Sequence, residues 1–167
     1  MLHTAPLSTD RHQFWVMEFG IDITELPDSA PNGLVAANHS GCLVLSGLHT
    51  GTIMVSVEPL DAEPGAADDV WEEVAEVSVL SRSGTLQAWS LDYGPLEGAP
   101  ALTSAGPGTY RLRVHARQRD IGHATDTLLD DDPCDFYLLQ CWPAPPAPEK
   151  IIRQTDNFGA EWRGEVR

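Results

Sequence analysis

TYRLRVHARQ, residues 109–118, places Tyr110, Leu112, Val114 and Ala116 on one side of an extended chain and Arg111, Arg113, His115 and Arg117 on the other. Successive side chains of a strand point to opposite faces, so this alternation marks a strand with one face in a core. The arginine side is expected to pair with acidic neighbours across the sheet, as exposed ion pairs worth a few tenths of a kcal/mol each. Similar short runs recur on either side of this strand, and together they set the fold class. FYLLQCW, residues 136–142, is more continuously apolar and reads as a central strand buried on both faces. VWEEVAEVSVLSRSGTLQAW reads as two strands joined at SRSG. In the first of them Ala75, Val77 and Val79 share a face while Val74 and Leu80 fall on the other, which predicts a bulge or burial on both sides.

Nearer the N-terminus, GLVAANHSGCLVLSGLHTGTIMVSVEP holds three runs, residues 34–37, 42–46 and 52–58. They are broken at NHSG and GLHTG and read as a meander. QFWVMEFG, from Gln13, is an earlier aromatic and β-branched run, and KIIRQ is a short candidate late in the chain. No stretch keeps apolar residues at i, i+3, i+4 and i+7 over three turns. The expectation is therefore an all-β fold, an antiparallel β-sandwich of about seven to eight strands with little or no helix.

A chain of 167 residues and 18.2 kDa is long enough for one enclosed core. The expected single β-sandwich domain spans 1–148. Pro143, Pro145, Pro146 and Pro148 end the sheet pairing, because proline lacks a backbone donor. Residues 149–167 are too few to fold alone and are expected to leave as an extended C-terminal arm, carrying Ile151, Ile152, Phe158 and Trp162 outward. Apolar rings in such a polar tail usually dock, either on the domain or on a partner.

Charge is the strongest compositional signal: 25 acidic residues against 10 basic ones, a net charge of −15. Neutralising phosphate needs Lys and Arg, so nucleic acid and anionic membranes are poor partners, and a basic protein or a cation is a better one. No apolar run approaches the length of a membrane span, and the N-terminal residues lack the pattern of a secretory leader. The three cysteines, Cys42, Cys134 and Cys141, form no CxxC pair; unpaired buried thiols and a reducing, cytoplasmic setting are expected. Lys150 is the sole lysine while Arg, Ala, Gly and Pro are plentiful, a usage common in GC-rich bacterial genomes.

Catalytic motifs are not found: the sequence holds no GxSxG elbow, Walker loop, GxGxxG or HExxH. Ser46 reads as a polar strand-end residue rather than a nucleophile. The six histidines are scattered, though His39 and His49 both lie in turns that can meet in space. The expectation is a protein that is not an enzyme, with no cofactor and no specific metal site.

The carboxylates are the organised feature. EPLDAEPGAADDVWEEVAE carries eight acids without Lys or Arg, and DIGHATDTLLDDDPCD carries six. Neither has the alternating oxygen spacing and glycine turn of a calcium loop. Both fit acidic solvated loops or a negative docking surface, and the candidate partner-binding residues are Asp61, Glu63, Asp68, Asp69, Glu72, Glu73, Glu76, Asp130, Asp131 and Asp132.

Motif order carries a resemblance. HQF (His12, Gln13, Phe14) heads the first run, a small-residue strand follows at residues 33–37, and Gly108, Thr109 and Tyr110 open a later strand. Over roughly residues 8–142 this resembles the competence protein J family, whose members include inhibitors of a DNA-entry nuclease. The resemblance implies a compact non-enzymatic β-sandwich that silences a basic nuclease, or by extension an immunity protein against a toxin. It carries over no functional residue. The alternative reading is a β-sandwich that binds a small molecule, sugar or calcium.

Overall fold

A computed structural model describes residues 1–129 and 132–165. Among them lie twelve strands. The first six are β1 (His3–Thr9), β2 (Gln13–Met17), β3 (Val35–Asn38), β4 (Gly41–Leu45), β5 (Thr50–Pro59) and β6 (Glu73–Ser81). Then come β7 (Gln87–Ser90), β8 (Gly94–Pro95), β9 (Gly108–Arg117), helix α1 (Arg119–Thr125), β10 (Thr127–Leu128), β11 (Phe136–Pro143), β12 (Lys150–Gln154) and helix α2 (Asn157–Trp162). The fold is mainly β, with two short helices and a single 3₁₀ turn at Ile23–Glu25.

The strands form two sheets. The larger runs β1-β5-β11-β9-β6-β12, with β10 also pairing β5; the smaller runs β3-β4-β2-β7-β8. TYRLRVHARQ lies in the middle of the larger sheet as β9, where Val114 sits opposite Leu139 of β11 on one side and Ala75 of β6 on the other. Tyr110, Leu112, Val114 and Ala116 enter the main core, as their spacing requires. FYLLQCW is the central strand β11, held between β5 and β9. It runs antiparallel to β9 but parallel to β5, so the larger sheet is mixed rather than wholly antiparallel.

The expected meander is half right. β3 and β4 do pair in the smaller sheet, but β5 belongs to the larger one. GLHTG is therefore a passage between sheets, and glycine makes it possible: a Cβ on Gly47 would lie 2.2 Å from the Arg119 carbonyl oxygen. Gly51, at φ +133°, would place one 1.8 Å from the Leu128 carbonyl oxygen. SRSG is a second passage, from β6 to β7, fixed by Glu18, which accepts from the backbone N–H groups of Arg82 (2.6 Å) and Ser83 (2.8 Å). β1 was not legible as a strand because Pro6 interrupts it, yet proline is tolerated at an outer strand of a sheet.

One core cluster unites both sheets: Phe14, Val16 and Val44 of the smaller pack with Ile53, Val55, Leu112, Val114 and Leu139 of the larger. A second cluster covers another face of the smaller sheet, where Trp15, Met17, Leu43 and Leu45 meet Leu26, Ala30 and Phe158. Phe158 belongs to the tail, which corrects the expected arm. Lys150–Gln154 pairs antiparallel with β6 as the outermost strand, and α2 then seats Phe158 at 1% exposure. Pairing does end at the prolines, with Pro143 the last paired residue of β11, opposite Tyr110, but the chain resumes pairing after them because β6 still has a free edge. Burying a phenylalanine contributes about 1.5–3 kcal/mol, enough to hold a short helix down. Ile151 and Trp162 stay substantially exposed.

Candidate functional site: an acidic strap across the larger sheet

Between β5 and β6 the chain crosses β11 and β9, and it does so over the sheet face opposite the main core, as residues 60–72. Irregular backbone here has no ladder partners for its carbonyls, and the arginines of β9 supply them. Arg113 Nη1 donates to Gly65 O at 2.7 Å, and Arg153 Nη1 of β12 donates to Asp68 O and Trp71 O at 2.9 and 2.8 Å. The Trp71 ring lies 5.5 Å from that of His115. The proline segment after β11 is held similarly, with Arg111 donating to Ala147 O at 2.8 Å and Pro148 O at 2.5 Å. Glu76 joins the two guanidinium groups, 2.8 Å from Arg113 Nε and 3.5 Å from Arg111 Nε.

This arrangement overturns the expected exposed charge pairs. Arg111, Arg113 and His115 are 6%, 5% and 1% exposed, so β9 is buried on both faces, its polar side beneath two straps. Burial pulls the His115 pKa down to about 4. Arg119, two residues after Arg117, lies beyond β9 at the start of α1 and is wholly buried against Asp156.

Two of the candidate partner-binding acids are interior, Glu76 among the arginines beneath the straps and Glu73 against Arg119 and the C-terminal segment. Glu76 and Glu73 are 3% and 1% exposed, and neither can reach a partner. Glu73 lies 3.0 Å from Arg163 Nη1 and 3.6 Å from Arg119 Nη2, and accepts from the backbone N–H groups of Thr155 and Asp156. Burial pushes its pKa up, aided by the Asp156 charge, while Arg119 pulls the other way. Both acids sit in β6, where strand parity alternates but both faces are covered. Glu72 is half-buried, its carboxylate accepting from Gln118 N at 2.6 Å.

Asp61, Glu63, Asp68 and Asp69 are exposed along the strap, and Asp132 is exposed in the loop entering β11. Asp69 lies 3.7 Å from Arg153. Because β6 and β11 both run antiparallel to β9, their first residues lie at one end of the sheet, so Asp68 and Asp69 share that end with Asp132. Asp130 and Asp131 lie outside the described residues.

Beside the strap, Met54 and Ser56 of β5, Val70 and Trp71, Arg117 of β9 and Phe136 of β11 line a groove of about 360 Å³. The Arg117 guanidinium stands 4.1 Å from the Phe136 ring centroid and 5.8 Å from that of Trp71. Among the described residues it makes no ion pair and no side-chain hydrogen bond. Its alternation in TYRLRVHARQ was the signal that it faces away from the core; the rings around it come from two other segments, the strap and β11.

The histidines regroup. His39 is exposed and apart, whereas His49 meets His12 at a ring-centroid distance of 4.9 Å. His123 lies 5.8 Å from His12, and Phe158 is 5.4 Å from each of those two. His12 Nδ1 is 3.1 Å from the carbonyl oxygens of Ser46 and Gly47; burial lowers its pKa, and the neighbouring His49 and His123 add to that. Sequence spacing could not bring His12 to His123, since the turn before β2 and helix α1, from different parts of the chain, place them. Among the described residues no group of three or more His, Cys, Asp or Glu side chains is placed to hold a metal ion. Ser46 is buried, its hydroxyl 2.7 Å from that of Thr9 and donating to Leu48 O. Among the described residues the three cysteines form no disulfide; Cys42 and Cys141 are buried, and burial pushes the Cys141 pKa up to about 12. No helix among the described residues is long and apolar enough to cross a membrane.

No protein-family model matches this chain, and no curated protein matches it. Among solved structures, one titled crocagin biosynthetic gene J is similar at 18% sequence identity and a TM-score of 0.49, covering 87% of this chain and 99% of that one.

Proposed function

We propose that this chain is a non-enzymatic binding protein that neutralises a basic partner protein, a nuclease or toxin, through the exposed carboxylates of its strap. The observation that carries this reading is the fixed display of Asp61, Glu63, Asp68 and Asp69 on a segment anchored from below by Arg113 and Arg153. A segment already immobilised loses little further entropy on binding. The arginines that would offset these charges are spent inside, on Glu76, Glu73, Asp156 and strap carbonyls. The surface is accordingly more one-signed than composition alone conveys, and such fields steer association with cationic proteins. The resemblance of the motif order to the competence protein J family supports the same partner class. The frame we take for it is a β-sandwich, supported by the single core cluster to which both sheets contribute.

The test is capture of a cationic protein at low ionic strength, reconstitution of the purified pair, and measurement of association rate against salt. Conversion of Asp61, Glu63, Asp68 and Asp69 to Asn or Gln should slow association and flatten its salt dependence. A pair that forms equally well at high salt, or with the converted strap, ends this reading. A second reading, a protein that binds a small molecule, is favoured by one specific observation, the groove that holds Arg117 between aromatic rings.

A further inference from the structure

We infer that the groove beside the strap is a binding site for a small monocarboxylate with an apolar or aromatic body, and that Arg117 is its carboxylate anchor. The inference rests on the small-molecule reading and gives it a ligand class.

Arg117 is half-buried in a chain with 25 acidic residues. Arg111, Arg113, Arg119, Arg153 and Arg163 each meet a carboxylate within 4.0 Å. Arg117 alone of the arginines on β9 has none among the described residues, and its guanidinium stands over two aromatic rings. Stacking satisfies the flat faces of a guanidinium and leaves its in-plane N–H groups as donors, the geometry that grips a carboxylate at two points. The walls complement that anchor: Met54, Val70, Trp71 and Phe136 supply apolar surface, and Thr4 and Ser56 close one side through a 2.7 Å hydroxyl pair. About 360 Å³ is within the range of small-molecule sites, and its combination of apolar lining with a single convergent charge is their usual chemistry.

The charge count selects a monoanion. A phosphate dianion seeks several cations, and here one guanidinium stands near Asp68 and Asp69 in a protein of net charge −15. A carboxylate needs only the one.

The experiment titrates the full chain with phenylacetate, 3-phenylpropionate and hexanoate, each beside its uncharged amide, with inorganic phosphate as a further arm. Ligand-observed NMR and calorimetry serve as the readouts. The acids should bind about tenfold or more tightly than their amides, as expected for charge-assisted bonds to a half-buried guanidinium. Arg117→Gln should abolish the preference for acid over amide. Ser56→Phe, which fills the groove and keeps Arg117, should abolish binding of both, and it tests the site even if the first variant folds poorly. Equal binding of acid and amide, unchanged binding by Ser56→Phe, tighter binding of phosphate, or no binding of any acid at millimolar concentration overturns the assignment. None of these outcomes bears on the strap carboxylates, whose test is the salt dependence of protein association.

Discussion

Arg119 and Asp156 face each other across 2.7 Å, Nε to Oδ2, and neither side chain is exposed to solvent. Arg119 opens α1, and Asp156 caps α2 by accepting from Gly159 N at 2.8 Å. The pair therefore fastens the C-terminal segment to the body of the protein. Arg119 Nη1 also donates to Gly33 O and Leu45 O, and its guanidinium lies 4.8 Å from the Phe158 ring.

Removing one partner leaves a buried charge unmatched, which costs about 3–5 kcal/mol. Asp156→Ala is expected at that level, since it also strips the helix cap. Arg119→Met should cost a similar amount by freeing both Asp156 and Glu73. Urea denaturation measures it, as a lower midpoint with little change in slope. Deleting residues 149–167 should abolish cooperative unfolding altogether; a truncated chain that melts like the whole one contradicts the seating of Phe158.

Gly159→Ala reverses a familiar sign. Alanine favours a helix over glycine by about 1 kcal/mol. Here, however, a Cβ would lie 2.7 Å from Glu73 Oε1 and 2.8 Å from both Arg119 Nη2 and Arg163 Nη1. The substitution should destabilise by about 1–3 kcal/mol, the cost of overpacking. Thermal melting of the purified variant decides it, and a rise in Tm would show that the charged cluster can open.

Stability should fall with acid through His115. Its folded pKa, about 4, lies below the ordinary 6.5, so the unfolded chain binds its proton first. The contribution is fully present above pH 6.5 and is lost as pH falls toward 4, at most about 3 kcal/mol. His12 shifts in the same direction, whereas the raised pKa values of Glu73 and Asp135 act oppositely. Comparing wild type with His115→Gln isolates the term: the variant should lose stability less steeply across that window. Parallel pH profiles would refute it.

Reversing the charge of Asp61, Glu63, Asp68 or Asp69, one at a time, should leave the unfolding free energy within about 0.5 kcal/mol of wild type, because their side chains are exposed. Glu76→Gln should instead destabilise by about 3 kcal/mol or more, since it leaves Arg111 and Arg113 without a counter-charge beneath the straps. Calorimetry of the two kinds of variant side by side separates surface acids from structural ones, and equal losses would contradict their placement.

Strand period made β9 readable, down to which of its residues enter the core, and the continuous apolar run of β11 marked it as a central strand, although Leu138 and Gln140 are only half-buried. It did not reveal that Glu73 and Glu76 are interior, because periodicity reports on a strand's own faces and says nothing of what later crosses them. His12, His49 and His123 were equally unreadable as a group, being joined only by the packing of α1 and Phe158 near the turn before β2.

The sequence by itself determined the mainly β fold, the central place of β11, the core side of TYRLRVHARQ and the acidic character of the segment between β5 and β6, all of which follow from local alternation and composition. Only the tertiary structure decided that most of the arginine side of the same strand is buried, that the proline-led tail turns back to pair with β6, and that Arg117 meets no carboxylate among the described residues. Those outcomes depend on contacts between segments remote in sequence. They arise because strap carbonyls and a free sheet edge must find partners, and local pattern does not specify which residues supply them.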